Sequence, residues 1–155
     1  MHKLRVYIDT SVFGGVFDEE FKTGSQLFFN QLKQGLFIPV ISPAIEKEIS
    51  LAPSFVASLI DDIRDKLEII EENMESLALQ HKYLQANIVS ERYRTDALHV
   101  AIASVNNCSA IVSWNFKHLV NYDKISQYNA INMLNGYKMI QIHTPLEMIH
   151  YEEEN

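Results

Sequence analysis

The sequence predicts a three-layer α/β/α fold built on a central, mostly parallel sheet. Three observations carry that expectation. Four short runs, 4–8, 37–41, 109–113 and 138–142, are almost continuously apolar, as strands covered on both faces must be. Helical patterns lie between those runs, and strands alternating with helices imply right-handed crossovers. No repeat, low-complexity tract or linker interrupts the order, and 155 residues suit one domain, placed at 1–150, with an acidic tail at 151–155.

Each element has a local reason. The run 4–8 ends in Asp9, within YIDTS. A helix over about 21–34 places Leu27, Phe28 and Leu32 on one face, and Gly35 stops it. After the second strand, Ser42-Pro43 reads as an N-cap followed by proline at the first helical position. A long helical section is expected over 53–84, a further helix over 90–105, and another over 123–134 that Gly136 ends. Residues 61–75 carry Asp61, Asp62, Asp65, Glu68, Glu71, Glu72 and Glu75 against Arg64 and Lys66. That run is expected to be a solvated helix face, and the Glu152–Glu154 tail to fray.

Composition excludes several classes. The 13 Lys+Arg against 20 Asp+Glu leave a net charge of −7, which argues against a protein that coats nucleic acid by charge alone. It leaves room for a nucleic-acid enzyme, because bound cations offset clustered carboxylates. A hydrophobic share of 47% with 21% charged residues argues against disorder as the main state. Cys108, the sole cysteine, excludes a disulfide scaffold and a multi-cysteine zinc site. No run reaches the ~20 apolar residues of a membrane span, and Asp9 interrupts the apolar stretch that a leader would need. The expectation is a soluble, cytoplasmic protein.

In an open parallel α/β sheet, ligands bind beyond the carboxyl ends of the strands. Four polar residues fall there: Asp9 after the first strand, Glu48 on the helix after the second, Asp96 in the apolar stretch TDALHVAIA, and Asn115 after IVS. Each has an ordinary alternative. Asp9 can N-cap a turn beginning at Thr10 or Ser11. Glu48 can be solvated, although it lies nearer than Glu46 to the apolar face of Ile41, Ile45, Ile49 and Ala52. Asp96 can simply favour the dipole of a buried helix, and Asn115 can be a turn residue. Together, three converging carboxylates repel one another unless they take up protons or a cation. All-oxygen ligands suit Mg²⁺ or Mn²⁺, which can activate water for phosphodiester hydrolysis.

These residues carry a resemblance. YIDTSVF, Ser42 with Glu48 six residues on, RTDALHVAIA, IVSWNFKHL and the closing IHTPLEMI together resemble the PIN-domain family. Within it, they are similar to the VapC-type toxins of prokaryotic toxin–antitoxin pairs. The resemblance implies a Mg- or Mn-dependent ribonuclease with a central parallel sheet. It implies Asp9, Glu48 and Asp96 as metal ligands, Ser11 as a hydroxyl that orients the first Asp or a phosphate, and Ser113 as the Ser/Thr before the fourth acidic position. That fourth position is Asn115 here, which contributes no charge and makes one firmly held ion the safer expectation. It also implies products with a 5′-phosphate, a possible antitoxin partner and a homodimer, for which the apolar content of 53–84 is a candidate interface.

Arg92 and Arg94 precede Asp96, and Lys117 follows Asn115. They are candidates for holding substrate phosphates, with pairing to Glu91 or the acidic run as the alternative for the arginines. Trp114 and His118 are candidates for stacking on a base and touching a phosphate, against core packing and surface polarity. A competing class is a degenerate PIN fold that binds RNA or a protein without cleaving. A phosphatase of the haloacid dehalogenase type fits less well, because Asp9-Thr10-Ser11 lacks the second aspartate of D-x-D.

Overall fold

The computed structural model describes residues 2–151. Five parallel strands, β1 (Arg5–Ile8), β2 (Ile38–Ile41), β3 (Glu68–Ile69), β4 (Ala110–Val112) and β5 (Gln141–His143), form one sheet in the order β3-β2-β1-β4-β5. The helices are α1 (Thr10–Gly15), α2 (Lys22–Lys33), α3 (Pro43–Ser50), α4 (Ser54–Ile63), α5 (Met74–Gln85), α6 (Arg94–Val105), α7 (Tyr122–Leu134) and α8 (Pro145–Met148). A 3₁₀ turn at Glu91–Tyr93 leads into α6. Helices α1, α3 and α8 pack with α2 and α4 in one group, and α5 packs on α6 and α7 in another. The α/β sandwich expected from the apolar runs is therefore present.

The core follows the alternation of elements. Val6, Tyr7, Ile8, Val40, Ile41, Ile111 and Val112 are fully buried on the central strands. Helix α6 is buried nearly all round, from Ala97 through Ser104, apart from half-buried Leu98. Pro39 sits inside β2, which has a neighbour on each side. It is tolerated because Ile38 turns its N–H to Leu4 on the β1 side. The missing N–H of Pro39 then faces the β3 side, where pairing starts only at Val40.

Both glycine stops close helices. Gly35 and Gly136 adopt φ +80 and +82. Leu36 N–H donates to the Gln31 carbonyl and Tyr137 N–H to that of Asn132, the six-to-one closure of a left-handed helix cap.

Several boundaries differ from expectation. The section 53–84 is not one helix: Arg64 caps α4, residues 68–69 join the sheet edge as β3, and Asn73 starts α5 with a capping box. The acidic run is accordingly not one helix face. Glu68 lies in β3, where its carboxylate takes Arg5 Nη2 at 2.5 Å and Nε at 3.1 Å. The last strand begins at Gln141 rather than 138, because the Asn129 amide already clamps the Ile140 backbone at 2.7 and 3.0 Å. The helix expected over 90–105 opens as the 3₁₀ turn. The Glu152–Glu154 tail lies outside the described residues.

Candidate active site

The strand order reverses between β1 and β4, which makes their carboxyl ends the place where an open sheet leaves a crevice. Asp9 leaves β1 there and Ser113 leaves β4. Asp9 occupies the N-cap position of α1, yet its side chain makes no cap bond. Instead its Oδ2 accepts from Ser11 Oγ at 2.7 Å and Ser113 Oγ at 2.8 Å. Each hydroxyl in turn accepts a backbone N–H, Ser11 from Trp114 and Ser113 from Asn115, both at 2.9 Å. The two serines thus lock the Asp9 carboxylate to the turn after β4. Capping is not what the side chain does.

Asn115 is bound at both ends of its amide. Oδ1 accepts from the backbone N–H groups of Lys117 and His118 at 3.1 and 3.0 Å. Those two donors fix the orientation of the amide, so Nδ2 must face outward, and it lies 3.4 Å from Asp96 Oδ2. Asn115 is a turn residue and also a donor to Asp96. Its oxygen, committed to the turn, is not turned toward the carboxylates.

Asp96 sits in the first turn of α6. Burial, then the charges of Asp9 and Glu48, push its carboxyl up to about 6. The same influence of Asp9 and Glu48 reaches Tyr7, whose hydroxyl burial drives well above its ordinary range. Glu48 projects from α3, started by Ser42, whose Oγ accepts Ile45 N–H at 3.4 Å, with Pro43 at the first position. The Glu48 carboxylate accepts from Thr10 Oγ1 at 2.8 Å.

The sequence reading missed His99. It is fully buried on α6, with Nε2 3.0 Å from Glu48 Oε2 and Nδ1 2.7 Å from Tyr7 Oη, and Tyr7 Oη lies 2.7 Å from Ser42 Oγ. Burial raises the Glu48 carboxyl, but His99 and Thr10 outweigh it and hold it below its usual range. Burial lowers His99, but Glu48, Asp9 and Asp96 outweigh that and raise it. The signal available in the sequence was spacing: His99 follows Asp96 by three residues, one turn along the same face.

The donor set is all oxygen at Asp9, Glu48 and Asp96, as a hard divalent cation requires. Burial first, then the charges of Asp9 and Glu48, hold the Asp96 carboxyl at about 6, and a cation beside it would offset both. Asp9 and Asp96 fit such an ion. Glu48 already has His99 and Thr10, and among the described residues no group of three His, Cys, Asp or Glu side chains is closed around a common point. A cleft opens beside Glu48, lined by Ser42, Lys47, Thr95, Leu98 and Ile102.

The cationic candidates divide. Arg94 pairs with Glu91 at 3.1 Å. Arg92 and Lys117 both lie over the Tyr93 ring, 5.6 and 5.5 Å from its centroid. Trp114 is core, not a free stacking platform: it stacks on Phe21 at 4.6 Å, and its Nε1 donates to Ser25 Oγ at 2.8 Å. His118 is buried against Tyr93. Burial, with Lys117 and Lys124, holds it below its ordinary range.

No family model matches the chain, and no curated protein matches it. Among solved structures, it is similar to a chain of the crystal structure of VapBC2 from Rickettsia felis bound to a DNA fragment from their promoter. The two share 14% identity with a TM-score of 0.58, over 90% of this chain and 98% of that one. At that identity the likeness is one of fold.

Proposed function

We propose that this chain is a metal-dependent endoribonuclease of the PIN type, acting as the toxin of a toxin–antitoxin pair. The observation that carries the reading is the bonded path from Asp9 through Ser113 and Asn115 to Asp96. It joins two carboxylates from distant parts of the chain at the strand-order reversal. The fold likeness to a chain of VapBC2 supports the same reading, and a protein partner is proposed here on that likeness. A homodimer and a cytoplasmic location belong to the same proposal. Among the described residues, no helix is long and apolar enough to cross a membrane.

Asp9, Glu48 and Asp96 are the proposed ligands of Mg²⁺ or Mn²⁺, which when bound lowers the pKa of a water and stabilises charge on a phosphodiester. The chain's own residues prepare that site. Ser11 and Ser113 orient Asp9, His99 and Thr10 orient Glu48, and the Asn115 amide donates to Asp96 without adding charge. Arg92 and Lys117 supply positive charge for substrate phosphates. Arg94 joins them only by leaving Glu91.

The test is cleavage of a single-stranded RNA in Mn²⁺. Asp9→Asn and Asp96→Asn are each expected to abolish it, and the wild-type products to carry 5′-phosphates. Undiminished activity in either purified variant overturns the assignment. Two observations favour a second reading, a PIN-like fold that binds without cleaving: the Asn115 oxygen is consumed by the turn, and Glu48 is already paired with His99. That reading expects no thermal stabilisation by Mn²⁺, whereas an ion bound by the folded state raises the melting temperature.

A further inference from the structure

Beside the carboxylates lies a group of side chains that the proposed chemistry does not fully use. The 3₁₀ turn brings Tyr93 onto His118, with ring centroids 3.9 Å apart and 34° between planes. His118 is 8% exposed, and both its ring nitrogens are buried without a hydrogen-bond partner among the described residues. Buried polar atoms are nearly always paired, so two unmet nitrogens set this imidazole apart from the other buried polar side chains described. Arg92 and Lys117, both exposed, bring positive charge to the same tyrosine. The acid nearest in the chain, Glu91, is engaged by Arg94. Positive charge therefore collects here on a chain whose net charge is −7.

The group is anchored to the candidate active site at two points. Tyr93 directly precedes α6, whose first turn carries Asp96. His118 donates its backbone N–H to Asn115 Oδ1. An aromatic ring with two exposed cations over it suits a nucleotide: the cations swing off to take phosphate and the face they leave takes a base by stacking.

We propose that Tyr93, backed by His118 and flanked by Arg92 and Lys117, is a subsite for one unpaired nucleotide of the RNA strand. Its base lies on the Tyr93 ring and its phosphate on the two cations; the assignment rests on the nuclease reading above. A paired base is already stacked in its helix and does not fit.

The test is anisotropy of a fluorescein-labelled single-stranded RNA with the full chain in EDTA, where metal-dependent cleavage is silent. Tyr93→Ala is expected to weaken binding about tenfold, while Tyr93→Phe, which keeps the stacking face, stays within about twofold. Lys117→Ala is expected to lower the slope of log affinity against log salt by about 0.7. Single-stranded DNA is expected to show the same Tyr93 dependence, since every base has a stacking face. Wild-type affinity in Tyr93→Ala, or an equal loss in Tyr93→Phe, overturns the proposal. So does equal Tyr93-dependent binding of duplex RNA. If Tyr93→Ala does not fold, the exposed Arg92→Ala and Lys117→Ala decide: unchanged salt slopes in both overturn it. The two readings fail separately. Wild-type cleavage in Mn²⁺ with Tyr93-independent binding removes the subsite alone. Tyr93-dependent binding by a wild-type chain that never cleaves removes the nuclease alone.

Discussion

Nε2 of His99, a side chain with 0% exposure, lies 3.0 Å from Oε2 of Glu48, which is 34% exposed. A buried imidazole is therefore the partner of a carboxylate that faces the cleft. On its other side His99 meets the Tyr7 hydroxyl, and Tyr7 meets Ser42. With a neutral ring, Nε2–H donates to Glu48, Tyr7 donates to Nδ1 and Ser42 donates to Tyr7, so every member is satisfied. Truncation leaves the buried Tyr7 hydroxyl without its acceptor and takes from the half-buried Glu48 carboxylate one of its two donors, the other being Thr10. His99→Ala is expected to cost about 2–4 kcal/mol in urea denaturation. His99→Gln, whose amide can reach Glu48, is expected to recover part of that loss. A cost under about 1 kcal/mol for the alanine variant would mean the chain of bonds is not coupled to stability.

Asp96 gives the metal-free protein a pH dependence. Its folded-state pKa, about 6, lies above the ordinary 3.8. The folded chain thus holds a proton that the unfolded chain has released. Its contribution is fully present below about pH 4 and is lost as pH rises through 6. Because the side chain is partly solvated, the difference is of the order of 1–2 kcal/mol. Asp96→Asn is expected to flatten that segment of the stability curve and to melt higher than wild type at pH 8. Parallel wild-type and variant curves between pH 4 and 7 would show that Asp96 titrates normally.

The parts of this molecule that could be read from the chain are those set by local pattern. The apolar runs of β1, β2 and β4, the Ser42-Pro43 start of α3, the glycine stops and the buried α6 all express short-range chemistry. Strand β3 does not: two residues inside an acidic run become a strand only because the β2 edge receives them and Arg5 pairs with Glu68. Three of the four candidate positions were legible from their places after strands, and Asp96 from the apolar helix it opens. Their linkage was not, since it passes through Ser11, Ser113 and backbone N–H groups that are 102 to 104 residues apart in sequence. His99 escaped because a histidine among alanines and valines looks like core until Glu48 is placed across from it.

Trp114 is held by two glycines. A Cβ on Gly24 would meet Trp114 carbons at 2.9 Å and Leu146 Cγ at 3.0 Å; one on Gly15 would meet Ser25 Oγ at 2.5 Å and Trp114 Nε1 at 2.9 Å. The indole is stacked on Phe21 and bonded to Ser25, so it cannot retreat cheaply. Gly24→Ala is expected to cost about 1–3 kcal/mol, with a red shift in the fluorescence of the single tryptophan. Gly14→Ala is the control, because a Cβ there meets nothing within 4 Å in a helix. It is expected to be neutral or to stabilise by up to about 1 kcal/mol. Equal melting temperatures for the Gly14 and Gly24 variants would contradict the packing argument.

Asn115→Asp tests whether the turn after β4 belongs to the ion's surroundings. The introduced carboxylate can still accept from Lys117 and His118 N–H, so the turn survives. Its second oxygen replaces a donor that now lies 3.4 Å from Asp96 Oδ2, and an attraction becomes a repulsion between like charges. Without metal at pH 8 the variant is expected to lose about 1–3 kcal/mol. The double variant Asp96→Asn/Asn115→Asp restores a donor–acceptor pair and is expected to recover that loss, with a coupling energy well above the scatter for independent sites. Mn²⁺ reverses the order. An added carboxylate strengthens the site for a hard cation, so Mn²⁺ is expected to raise the melting temperature of Asn115→Asp by more than that of wild type. If both proteins shift equally, the Asn115 side chain stands outside the reach of the ion, and its role is confined to the turn and to Asp96.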